Sequence, residues 1–230
     1  MDPQTRSKFG SAFNDRVIVM LTSQCNLGCG HCLFKLKPQK SPQTLDSADV
    51  KKALGQLEPQ HEVFLSGGEP TLHPDFFRIA AKLGRFESAT VITNGHWIRG
   101  ENSVRRFLKK LPKNVIIRLS IDRFHEKKMP DLKEKAKVLR ETCAKMGRKC
   151  EYSLTTSSTR EETRMVKEYR LPEGSFVSRP LMRPLEAGNA QSLFVSYDGN
   201  LFGSENEFHR KAEPFGTLHE FRASLRHGRY

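Results

Sequence analysis

The chain has 230 residues, with 39 Lys and Arg against 26 Asp and Glu, and 37% of it is hydrophobic. That length suits one large domain, or one domain with an appendage, and the composition supports a packed core and excludes global disorder. The formal net charge of +13 favours an acidic partner or substrate, but the basic residues are dispersed.

In chain order, strand-like and helix-like segments alternate. RVIVMLT (16–22) is β-rich. Val50, Ala53, Leu54 and Leu57 form a helical stripe, with Asp46 or Ser47 as N-cap. EVFLSG (62–67) reads as a buried strand. HPDFFRIAAKLG (73–84) reads as a helix with Pro74 in its first turn and Gly84 at its exit. ATVITNG is the third strand, and Val104, Phe107, Leu108 and Leu111 mark the next helix. VIIRLSID is the fourth strand. Leu132, Ala136, Leu139, Cys143 and Met146 then step along a long helix. KCEYSLTT, REETRMVKEY and SFVSRPLM supply a fifth strand, a helix and a sixth strand. Such a rhythm predicts an α/β fold with a parallel sheet, wound by right-handed crossovers into a partial (β/α)6 TIM-like barrel, with functional groups at the C-terminal strand ends. The barrel is expected over residues 1–188. Residues 189–230 are expected to hold a small β-hairpin appendage, with its turn at Asp198-Gly199, and a polar tail.

No secretory signal is evident, and the apolar run at 17–21 is too short to cross a bilayer. The expectation is a cytoplasmic protein with no membrane partner. No arginine-rich arm, zinc-finger spacing or aromatic–basic interleaving points to nucleic acid. In a reducing compartment, clustered cysteines point to metal or catalysis rather than to disulfides.

Cys25, Cys29 and Cys32 form C-x3-C-x2-C directly after the first strand. Thiolates so close reach one metal centre. Four would saturate a [4Fe-4S] cluster; three leave one iron open to a further ligand. A structural zinc site normally takes four ligands, which Cys143 and Cys150 do not complete as a second C-x2-C. Zinc, or a disulfide pair beside a free thiol, stays open on spacing alone. Cys143 and Cys150 fall on apolar stripes and read as buried small hydrophobes.

The stretch CNLGCGHC resembles the signature of the radical S-adenosylmethionine (radical SAM) enzymes, over about residues 17–183. The resemblance implies a [4Fe-4S] cluster on Cys25, Cys29 and Cys32, with S-adenosylmethionine chelating the fourth iron. It implies reductive cleavage to methionine and a 5'-deoxyadenosyl radical that abstracts hydrogen from a substrate. In SGGEP (66–70), Gly67, Gly68 and Glu69 would hold the methionyl amino group. In ITNG (92–95), Thr93 and Asn94 would face the cofactor pocket. In LSID (119–122), Ser120 and Asp122 would bind ribose hydroxyls. His31 would sit near adenine. Thr155, Arg179, Arg183 and His125 are further candidates for the pocket or the substrate site. Capping, turn formation or packing would equally account for several of these side chains.

PLEAGNA followed by VSYDGNLF resembles the junction into a cysteine-rich SPASM/twitch-like C-terminal extension of peptide-modifying members, yet no cysteine follows Cys150. That departure implies a single-cluster enzyme. Its substrate would be a peptide or small metabolite. A glycyl-radical activating enzyme and a nucleoside- or heterocycle-modifying enzyme are alternatives. A non-catalytic iron–sulfur or zinc protein is another. The chemistry also implies a low-potential electron donor, flavodoxin or ferredoxin, docked near Lys35, Lys37 and Lys40.

Overall fold

The computed structural model describes residues 16–32, 34–36, 38–180, 193–202, 214 and 216–218, with the backbone alone for 179 and 180. Six strands pair in parallel in sequence order: β1 (Arg16–Met20), β2 (Glu62–Ser66), β3 (Ser88–Thr93), β4 (Val115–Ser120), β5 (Cys150–Thr156) and β6 (Phe176–Pro180). Between them run α1 (Ser47–Gln56), α2 (Phe76–Ala80), α3 (Glu101–Lys109), α4 (Arg123–Lys128), α5 (Leu132–Lys145) and α6 (Thr159–Tyr169). Adjacent pairing of successive strands is the order of a partial (β/α)6 barrel.

The two sheet faces differ because side chains alternate along a strand. On β4, Val115, Ile117 and Leu119 are buried, whereas Ile116, Arg118 and Ser120 are half-buried. Register carries this split across the sheet. Leu119 sits beside Thr93 and Tyr152, and Ile117 beside Val91. These positions join the core with Val50, Leu54, Ile79, Leu83, Val104, Leu108, Leu139 and Met165 of the helices. On the opposite face one row runs Ile18, Phe64, Thr90, Ile116, and another runs Ile92, Arg118, Glu151.

The hairpin expected near Asp198-Gly199 is present, but it extends the main sheet. β7 (Leu193–Val195) pairs in parallel with the other edge of β1, and β8 (Asn200–Phe202) returns antiparallel. Gly199 turns the chain at φ +84°, and β9 (Gly216–Thr217) adds to β8. The boundary expected at 188/189 lies outside the described residues.

Two local expectations differ. The helix expected from residue 73 starts at Phe76 and passes into a 3-10 turn, Ala81–Arg85, with Gly84 inside that turn. His73 precedes a proline, which disfavours helix there, and its ring is pinned by the Leu45 carbonyl (2.9 Å) and the Asp75 N–H (3.0 Å). The second difference is α4, whose six residues include no buried one, so no apolar stripe announces it. Cys143 is buried, and Cys150 packs half-buried against the same core.

Candidate active site

The hydrogen-bond ladder between β1 and β2 continues past the strand ends. The Leu21 N–H donates to the Ser66 carbonyl (2.9 Å), Gly68 N–H to Thr22 (2.8 Å) and Glu69 N–H to Gln24 (2.7 Å). Two glycines make this approach possible. Gly67 has φ +137°, and a Cβ there would lie 2.7 Å from the Thr22 oxygen; one at Gly68 would collide with the Gln24 carbonyl. At these two positions the missing side chains make room for the chain's own backbone. The ladder leads directly into Cys25.

Cys25 is buried, Cys29 and Cys32 are half-buried, and all three are free thiols on one loop. The Cys32 N–H donates to the Cys29 carbonyl (3.1 Å). Burial pushes the Cys25 thiol up, against the pull of the Leu27 and Gly28 backbone. A bound cation would offset that cost by supplying the missing counter-charge.

Glu69 is fully buried. Its Oε1 accepts from the Thr71 hydroxyl (2.6 Å), the Thr71 N–H (3.3 Å) and the Thr93 hydroxyl (2.8 Å), and its Oε2 accepts from the Asn94 N–H (2.7 Å). Among the described residues no Lys, Arg or His pairs with it. Thr93 lies on the helix-facing side of β3, where its hydroxyl serves Glu69 and accepts from Gly95 N–H and Trp97 Nε1. It therefore orients the carboxylate instead of lining the pocket. Asn94 links two mouth loops through its Nδ2 to Asn26 Oδ1 (3.0 Å).

Asp122 is the N-cap of α4. Its Oδ1 accepts from the Phe124 and His125 N–H groups (2.9 and 3.0 Å), and its Oδ2 meets His125 Nδ1 (2.8 Å) and His31 Nε2 (3.3 Å). Burial raises its carboxyl, but the two imidazoles outweigh this and hold it well below the usual carboxylate range. Burial likewise disfavours charge on His125, yet Asp122 and Cys29 push it up to about 10. The three donor atoms lie within 4.8 Å of one another. Asp122 pairs with both imidazoles, so the three form an ion-pair network. His31 stacks on Phe124 at 4.3 Å between ring centroids. One face of that imidazole is thus occupied by protein.

Ser120 and Thr155 are half-buried on the inner face of β4 and β5. Arg179 is beside Thr155 in the backbone register, and Arg183 and Lys37 lie outside the described residues. Lys35 and Lys40 are exposed. Sequence reading missed Gln24, Asn26 and His96. Gln24 Oε1, His31 Nδ1 and His96 Nδ1 are buried without a hydrogen-bond partner among the described residues, and all three sit on loops leaving β1 and β3. Such orphaned atoms at one mouth fit a polar ligand. The only sequence hints were their places beside Cys25 and after the Asn94-Gly95 turn.

Residues 19–153 match the Radical SAM superfamily model. The chain belongs to the radical SAM superfamily. It is 34% identical over 86 residues to the GTP 3',8-cyclase of Chlorobaculum tepidum, which covers 35% of this chain and 26% of the cyclase. It is 36% identical over 61 residues to the mycofactocin maturase MftC of Mycobacterium tuberculosis, covering 26% of this chain and 15% of MftC. Both matches are therefore to small parts of longer proteins. Streptococcus suis SuiB bound to S-adenosylmethionine has the same fold, with TM-score 0.68 at 15% identity over 94% of this chain and 66% of SuiB. As a radical SAM enzyme its cofactors are a [4Fe-4S] cluster and S-adenosylmethionine. No helix among the described residues is long and apolar enough to cross a membrane.

The residues fit both cofactors: three free thiols on one loop and, among the described residues, a buried carboxylate with no paired cation and orphaned polar atoms around the same mouth. Anaerobic reconstitution should give about four irons per chain, the content of one cluster. Alanine at Cys25, Cys29 or Cys32 should abolish the cluster's visible absorbance, and serine at Cys143 or Cys150 should leave iron content unchanged. Stoichiometric zinc in anaerobically purified protein would contradict this assignment. Gly68→Ala should lower stability by about 1–3 kcal/mol, the usual cost of overpacking, seen as a reduced urea midpoint at constant slope.

Proposed function

We propose that this chain is a single-cluster radical SAM enzyme in which Cys25, Cys29 and Cys32 hold the cluster and Glu69 receives the methionyl ammonium of S-adenosylmethionine. Together the two cofactors supply an electron and a sulfonium whose reductive cleavage releases methionine and a 5'-deoxyadenosyl radical able to take hydrogen from an organic substrate. The observation that carries the reading is Glu69. A carboxylate removed from water is costly unless it is hydrogen-bonded and paired. Four hydrogen bonds fix it, and no cation among the described residues pairs with it. An ammonium arriving at the end of β2 completes it.

Asp122 and Ser120, at the end of β4, are the proposed partners of the ribose hydroxyls. Asp122 must exchange its contact with His31, the longest of its four at 3.3 Å, to accept a hydroxyl. Gln24 Oε1 and His96 Nδ1, without a hydrogen-bond partner among the described residues, are candidates for the remaining polar groups. A polar substrate suits the inner wall, where Arg118 donates to Glu151 from Nε and Nη2 (3.0 and 2.6 Å) beside Ser120 and Ser153. Peptides and small metabolites both meet that description.

Glu69→Gln should weaken S-adenosylmethionine binding roughly tenfold to a hundredfold, since a charge-assisted hydrogen bond contributes about 1.5–3 kcal/mol, while iron content stays unchanged. Asp122→Asn should weaken it in the same direction. Calorimetric titration of reconstituted protein reads both, and unaltered affinity in both variants would refute the placement of the cofactor.

The electron donor is proposed to be an acidic flavodoxin or ferredoxin docking near Lys35, Lys37 and Lys40, which follow Cys32 by three to eight residues. Flavodoxin-driven reduction should slow as salt rises, because the Debye length falls from about 30 Å at 0.01 M to about 10 Å at 0.1 M. A Lys35/Lys37/Lys40→Glu triple variant should be reduced more slowly by flavodoxin but not by dithionite. Equal slowing with both reductants would count against docking at this loop.

A further inference from the structure

The β7–β8 hairpin resembles the entry to a cluster-binding extension, but it has no cysteine to bind one. Its side chains show another use. Buried Phe194 and Phe202 form an apolar group with Met20, Cys25 and Leu36, and Leu27, Cys32, Phe34 and Tyr197 pack against it. Two of the three cysteines of the loop therefore sit in the same apolar group as the hairpin. Phe194 lies beside Ile18 in the β1–β7 register and opposite Phe202 across the hairpin, so both occupy the inner face of the sheet. The ring of Phe34, two residues after Cys32, stacks with Phe194 at 6.1 Å, and the Phe194 and Phe202 rings stand 6.4 Å apart. The opposite face of β7 serves the main core instead, where Leu193 and Val195 pack with Val17 and Val19 of β1 and Val50 and Leu54 of α1.

We infer that the hairpin positions and dries the cysteine loop, with Phe194 and Phe202 as positioning residues that wall Cys25 and Cys32 off from water. This rests on the proposed cluster site and adds a role for strands that the site itself does not use. An apolar shell controls solvent access and local dielectric around a metal centre, and with them its reduction potential and ligand retention. Water let in by truncating the wall favours the more negative, reduced state of the cluster, so the potential rises. It also gives a chelator access to the iron.

The test uses the full reconstituted chain and reads the cluster without turnover. Phe202→Ala is compared with Phe107→Ala, a truncation of similar size in the same protein, packed against Phe76, Phe77 and Trp97 away from the hairpin. Anaerobic iron release to a ferrous chelator should be roughly tenfold or more faster than wild type in Phe202→Ala and near wild type in Phe107→Ala. The midpoint potential, read from the EPR signal of the reduced cluster, should rise only in Phe202→Ala. Phe202→Leu should restore most of the retention, and Phe202→Val, a partial truncation expected to release iron at an intermediate rate, stands in if the alanine variant does not fold. Equal release from Phe202→Ala and Phe107→Ala, or an unchanged potential, overturns the inference. Wild-type protein that takes up no iron would instead sink the cluster assignment beneath it.

Discussion

The site depends on one backbone constraint: the parallel ladder between β1 and β2 does not stop where the strands stop. Three further hydrogen bonds, ending with Glu69 N–H to Gln24, tie the turn after β2 to the segment that enters the cysteine loop. These bonds tie the backbone at Glu69 to the residue that precedes Cys25, so the start of the cysteine loop and the turn after β2 are positioned together. The contact tolerates only glycine at positions 67 and 68. A motif that looks like room for a ligand is in the first place room for the neighbouring strand. On the proposed reading, the ligand's share is the Glu69 carboxylate that follows this close approach.

Two buried carboxylates flank the mouth and are held in opposite ways. Asp122 faces two imidazoles and a helix N-terminus, which together stabilise its charge. Glu69 has hydroxyl and amide donors but no cation among the described residues. Neutral donors satisfy oxygen lone pairs without cancelling the charge. Asp122 finds its cations within the protein, whereas Glu69, on the proposed reading, receives one from the ligand. This asymmetry makes Glu69 the stronger pointer to the cofactor, although both residues come from motifs of similar appearance.

Much of the fold was legible in the sequence because its elements bury continuous stripes. Leu132, Ala136, Leu139 and Cys143 mark a helix by period, and all four are buried in α5. Where a segment buries nothing, as in α4, period is silent. The cysteines were legible because their chemistry lies in residue type and spacing. Thr93 was not: SATVIT is apolar or small throughout, with no alternation to show which face the threonine takes. Only its pairing beside Leu119, next to buried Tyr152, settles that. Gln24 and His96 carry no pattern at all, and their interest comes from partners that are missing after folding.

The distribution of charge separates attraction from selection. The net charge of +13 acts over the whole molecule and steers acidic species towards it. Arg118, on the inner wall, adds nothing to that excess, since Glu151 matches it. The Arg118 guanidinium also lies over the Phe64 ring, 5.2 Å from its centre, a cation–π contact. An ion pair so sheltered adds little stability over an apolar pair of similar volume, so its value lies in presenting fixed donors and acceptors. Nη1 of Arg118 and Oε1 of Glu151 have no hydrogen-bond partner among the described residues. For the proposed enzyme, the field brings an acidic donor or substrate to the surface. The matched Arg118–Glu151 pair would then discriminate by hydrogen-bond geometry instead of by net charge.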